Sequence, residues 1–108
     1  MSIEIGQVER SVWQRRAAAE LSAILRAYAD LPILAWTVGS AGSVLLGRVA
    51  APAAAPEVRA VFNAWKTALV LRESCTPMSG TVHLRAEARR NQVTVRVTAT
   101  VFSTEDPR

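Results

Sequence analysis

The chain has 108 residues, a formal net charge of +4, one cysteine, and half of its residues hydrophobic. That is the size of a single domain, able to bury roughly two-thirds of the surface its unfolded form exposes, and too apolar to stay disordered. With Cys75 alone no internal disulfide can form, which excludes the disulfide framework of small secreted domains.

The positive charge is almost entirely arginine; Lys66 is the sole lysine. Such an excess favours anionic partners, nucleic acid or acidic lipid, and also simply keeps a domain soluble. No stretch reaches the ~20 apolar residues of a membrane span. The longest candidate, Leu31 to Leu46, is interrupted by Pro32, Gly39 and Gly42. The opening residues, Met1 to Ile5, carry an acid and no apolar run of signal-peptide length. The expectation is a cytoplasmic protein without membrane contact.

In chain order, residues 1–7 read as a short extended lead. From Val8 to Ala29 the pattern is helical: Trp13, Ala17, Leu21, Ile24, Leu25 and Tyr28 recur at spacings of three and four. Ser11 is either an internal hydroxyl or a late N-cap. Pro32 ends the helix by pushing Leu31 out of the α region. Ile33–Val38, the turn Gly39–Gly42 and Ser43–Val49 then predict a β-hairpin. A loop at 39–42 sets Trp36 opposite Leu45 and Val38 opposite Ser43. Both faces of this hairpin are apolar, which places it mid-sheet or under a partner and makes Trp36 the candidate anchor for self-association. Gly47 marks a bulge or a close backbone approach.

Ala50–Pro56 reads as a linker, and Pro56 suits the first turn of a helix running to Leu71. Val58, Val61, Phe62, Trp65 and Leu69 form its apolar stripe. Glu73–Gly80 reads as a loop, rich in Ser, Thr, Pro and Gly. Thr81–Phe102 is the most regular segment. Val82, Leu84, Ala86 and Ala88 alternate with His83, Arg85, Glu87 and Arg89, and Val93 to Val101 alternate with threonines and Arg96. A period of two predicts an antiparallel hairpin with one buried face, reversing at Arg90–Asn91. Ser103–Arg108 is a polar tail. The chain is thus expected to be one α+β domain made of two αββ units, about 8–49 and 56–102. They would share a four-stranded antiparallel sheet with both helices packed on one face. The element order resembles a circularly permuted ferredoxin-like fold in topology alone.

Few residues point to chemistry. His83, the single histidine, sits mid-strand on the polar face with no carboxylate in its local pattern, which reads as a solvated side chain rather than a general base. One Cys and one His cannot build a structural zinc site. Gly39-Ser-Ala-Gly-Ser43 has glycines like a phosphate loop, but it joins two strands and has no lysine. Neither catalytic residues nor a cofactor or metal are expected. The arginines of the C-terminal hairpin carry more weight. Pairing Ala88 with Val93 sets Arg85 opposite Arg96, with Arg89 and Arg90 at the tip. Like charges facing each other destabilise a sheet unless screened or bridged by an anion. Arg85, Arg89, Arg90 and Arg96 are therefore the candidate anion or nucleic-acid contacts, with threonines as further donors. The face lacks central aromatics, unlike an RNA-recognition sheet.

Stretches such as Leu34–Gly39 and Ala86–Asn91 give the chain a resemblance to small uncharacterised proteins of actinobacterial type; it implies a bacterial setting and no activity. The expected function is a non-enzymatic interaction or regulatory module acting through its sheet, on itself as a homodimer or on another protein. The alternative is a nucleic-acid-binding protein using the arginine face. A small enzyme or ligand carrier with a pocket near residues 73–80 ranks third.

Overall fold

The computed structural model describes residues 2–39, 44–49, 54–78 and 80–102, the side chains of 2–7, 76–78 and 102 excepted. The Gly39–Gly42 turn past its first residue, residues 50–53 of the linker and the tail 103–108 lie outside them. The elements run α1 (Ser2–Ala27), β1 (Ala35–Val38), β2 (Val44–Arg48), α2 (Ala55–Leu69), β3 (Arg72–Met78), β4 (Thr81–Arg90) and β5 (Val93–Phe102).

The elements and their arrangement differ from the expected ones in several places. Helix α1 begins at Ser2, not near Val8 after an extended lead. Nothing in the first ten residues breaks a helix except Gly6, whose cost of about 1 kcal/mol a long helix tolerates. The sheet has five strands, not four, in the order β1-β2-β5-β4-β3. The segment expected as a loop at 73–80 supplies β3, antiparallel to β4. Finally, the sheet is mixed: β2 and β5 run parallel. After α2 the chain enters β3 at the far edge, and β3, β4 and β5 return as a meander that brings β5 beside β2. Strand β5 takes the centre because Val93, Val95, Val97, Ala99 and Val101 are all buried on one face, an apolar surface that an edge would leave half covered.

Both helices cover that face. Helix α2 buries Val58, Phe62, Trp65 and Leu69, one stripe at helical spacing. Helix α1 contributes Ala17, Ile24 and, unusually, Glu20, with Leu21 and Tyr28 at the margin. Leu25, expected on the stripe, is 47% exposed. At 1.5 Å per residue α1 is about 39 Å long, and among its described side chains the fully buried positions begin at Ala17; Val8 and Val12 stand exposed.

Strand β1 is an edge, so the first hairpin does not lie mid-sheet, and its register differs from the expected one. Trp36 faces Gly47, and Val38 faces Leu45. The indole selects this register: a Cβ on Gly47 would sit 2.9 Å from Cζ3 of Trp36. Gly47 is thus a close-approach glycine.

Candidate anion-binding face

Residues of β4 and β5 that point away from the helices build the face, and the turn between these strands sets their partners. Asn91 and Gln92 both have positive φ, 50° and 68°. That is the signature of a two-residue type I′ turn, whose twist matches the flanking strands. Arg90 therefore pairs with Val93, Glu87 with Arg96 and Arg85 with Thr98. The expected pairing of Arg85 with Arg96 is two residues out of register. The true register exchanges a repulsion for an attraction: Arg96 Nε donates to Glu87 Oε1 at 2.7 Å. It also keeps Ala86 and Ala88 opposite Val97 and Val95 on the buried side.

The rungs extend across the sheet. Arg48 of β2 lies beside Thr98, and on β3 Arg72 lies beside Glu87 and Ser74 beside Arg85. Among the described residues, Arg48, Arg72, Arg85, Arg89 and Arg96 thus share the helix-free face with one carboxylate, Glu87. Arg48, Arg72, Arg85 and Arg89 are exposed, and Arg96 and Glu87 are partly so. Arg89 Nη1 donates to Thr94 Oγ1 at 3.3 Å. Ion pairs among the described residues join Lys66 to Glu73, Arg90 to Glu20 and Arg96 to Glu87.

The hydrogen bond from Arg96 outweighs the opposing desolvation and, with the charges of Arg96 and Arg85, holds the Glu87 carboxyl below its ordinary value of 4.5. A lowered folded-state pKa adds stability that is complete above the unfolded value and is lost as pH falls through the folded one. Wild type should therefore lose more stability than Glu87→Gln between pH 5 and pH 2.5 in acid-titrated urea unfolding. The difference should be small, because the pair is more than a third exposed and water screens it.

Arg90 goes elsewhere. As an even-numbered β4 residue it shares parity with Leu84, Ala86 and Ala88, so it points to the helix side. There its Nε donates to Glu20 Oε2 at 3.2 Å, and Asn91 Nδ2 donates to Glu20 Oε1 at 2.8 Å. The structure brings Arg85, Arg89 and Arg96 together on one face and sets Arg90 on the other. Trp36 likewise turns inward, edge to face with Trp65 at 5.5 Å between centroids; its buried Nε1 has no partner among the described residues. His83 Nδ1 lies 3.2 Å from Thr100 Oγ1.

Sequence reasoning missed Arg48 and Arg72 as members of the face. The alternation of Val44, Leu46 and Arg48 against buried Leu45 could have found the first. No pattern marks Arg72, since β3 has no apolar alternation. Among the described residues no three His, Cys, Asp or Glu side chains cluster as metal ligands, and no helix is long and apolar enough to cross a membrane. Compared with known proteins, the chain matches no family model, no curated protein and no solved structure.

Proposed function

We propose that the protein is a non-enzymatic interaction module that binds a polyanion, a nucleic-acid backbone, across the helix-free face of its sheet. One observation carries this reading: Arg48, Arg72, Arg85, Arg89 and Arg96 share an open face on which Glu87 is the one opposing charge among the described residues. Guanidinium groups match phosphate geometry and pair with it bidentately. Threonine hydroxyls at Thr94, Thr98 and Thr100 lie between them as further donors. No aromatic side chain described on this face could stack a base, so the contact is to backbone and independent of sequence.

Fluorescence anisotropy with labelled single- and double-stranded DNA tests this. Affinity should fall steeply with salt, and Arg48→Ala combined with Arg85→Ala should flatten the log–log slope by roughly 0.7–0.9 for each phosphate no longer neutralised. Absence of binding at low salt, or a double variant that binds like wild type, ends the reading.

Self-association is a second reading, favoured by β3. It is an edge strand whose residues 72–75 are exposed, and an open edge invites pairing with a second copy. Light scattering that shows a monomer at high concentration removes it.

A further inference from the structure

At one end the arginine face runs over the sheet edge into a cleft that also takes in Glu73 and Ala88 from the helix side. It has a volume of about 530 Å³ and lies where β3, β4 and the exit of α2 meet, lined by Arg72, Arg85 and Arg89. That volume is within the range of small-molecule sites, roughly 300–1,000 Å³. Two carboxylates, Glu73 and Glu87, also belong to the wall. Each has an ion-pair partner outside it, with the charge of Arg85 adding to the second: Lys66 Nζ lies 2.6 Å from Glu73 Oε1, and Arg96 Nε lies 2.7 Å from Glu87 Oε1. The three guanidiniums make no ion pair among the described residues. The cleft therefore keeps three guanidiniums beside two acids whose ion-pair partners lie outside it.

The rest of the lining is mixed. Ser74 and Thr94 add hydroxyls, while Val70 and Ala88 add apolar surface. Val70 is unusual in two ways. It is 81% exposed, and as the C-cap of α2 it adopts the left-handed conformation, φ 55° and ψ 57°, which is unfavourable for a β-branched residue. A glycine or asparagine would cap the helix with less strain. Val70 instead sets an apolar side chain at the rim of a cationic cleft.

We propose that this cleft binds a phosphomonoester attached to a partly apolar body: a nucleoside monophosphate, free or as the phosphorylated end of a strand. A phosphomonoester carries about −1.5 to −2 charges at pH 7, against one per phosphodiester, so clustered guanidiniums favour a terminal phosphate over an internal one. The apolar rim at Val70 and Ala88 takes the sugar or base. This inference rests on the polyanion reading of the same face and adds an end preference to it.

Calorimetry with a nucleoside 5′-monophosphate, the bare nucleoside and inorganic phosphate tests the cleft directly. Anisotropy then compares one oligonucleotide with and without a 5′-phosphate. The monophosphate should bind saturably at one site and the nucleoside should not. The 5′-phosphate should raise oligonucleotide affinity about tenfold, a gain lost in Arg85→Ala with Arg89→Ala and kept in Arg48→Ala. Binding of the free monophosphate without an end effect identifies the free nucleotide as the source. Binding of the phosphorylated end alone identifies the strand. If the oligonucleotide binds with salt dependence but neither monophosphate nor end phosphate matters, the cleft proposal is overturned and the polyanion face stands. If nothing binds, both fall. The exposed variants should keep the wild-type circular dichroism spectrum, so loss of binding cannot be loss of fold.

Discussion

Trp65→Ala should destabilise the protein by about 3–5 kcal/mol, the range for truncating a fully buried aromatic. Trp65 is 2% exposed and joins three parts of the fold. Its ring meets Tyr28, just past the end of α1, at 6.4 Å and Trp36 of β1 at 5.5 Å, both edge to face. Its Nε1 donates to the Pro32 carbonyl at 2.7 Å. Alanine removes the packed volume, both aromatic contacts, each worth about 0.5–1.5 kcal/mol beyond area, and the partner of a part-buried carbonyl. Small domains have only about 5–15 kcal/mol in total, so the melting temperature should drop by about 20 °C. Trp65→Phe separates the contributions. It keeps most of the packing and loses the hydrogen bond, so it should cost about 1–2 kcal/mol. Urea unfolding of both variants checks this, and an alanine variant within 1 kcal/mol of wild type would contradict the packing described.

The α2 stripe that holds Trp65 was legible in the sequence, as were the period-two alternation of Thr81–Phe102 and the two helices. In each case burial follows one simple period, and the period is written in the residues. Register was not legible. Arg90–Asn91 and Asn91–Gln92 are both acceptable reversals by composition. The choice between them is made by positive φ at Gln92, by the ion pair of Glu87 with Arg96, and by a contact seventy residues away. Strand β3 was hidden for a different reason. Arg72–Met78 contains Pro77 and no apolar alternation, and Arg72 to Cys75 stand exposed at the sheet edge, so this part of the strand leaves no buried period in the sequence. It pairs because β4 offers a long backbone edge. The parallel contact of β2 with β5 is equally non-local. The site was legible to the extent that parity was: Arg85, Arg89 and Arg96 share a strand face by simple alternation, whereas Arg90 looks like their neighbour and has the opposite parity.

Glu20→Ala is the sharpest test of that last distinction, and should cost about 2–3 kcal/mol. Glu20 is 7% exposed, and on α1 it shares a stripe with Ala17 and Ile24. Its two carboxylate oxygens accept from Arg90 and Asn91 at the tip of the β4–β5 hairpin. Removing one partner of a buried pair commonly costs about 3–5 kcal/mol. The effect here should fall below that ceiling, because the Arg90 side chain is 34% exposed and can turn to water. Asn91 loses its acceptor while held at positive φ in the turn, so the reversal that sets the register loses its tie to α1. Glu20→Gln should lie between wild type and alanine, since an amide oxygen still accepts from one donor but cannot pair with the guanidinium. A double-mutant cycle with Arg90→Ala should return a coupling of at least about 1 kcal/mol. Polyanion binding should be unchanged in Arg90→Ala at temperatures where the variant is folded, because this arginine lies on the helix side. If Arg90→Ala weakens binding as much as Arg85→Ala while leaving stability intact, the two faces have been assigned the wrong way round for this residue, and the contact between α1 and the hairpin tip does not hold in solution.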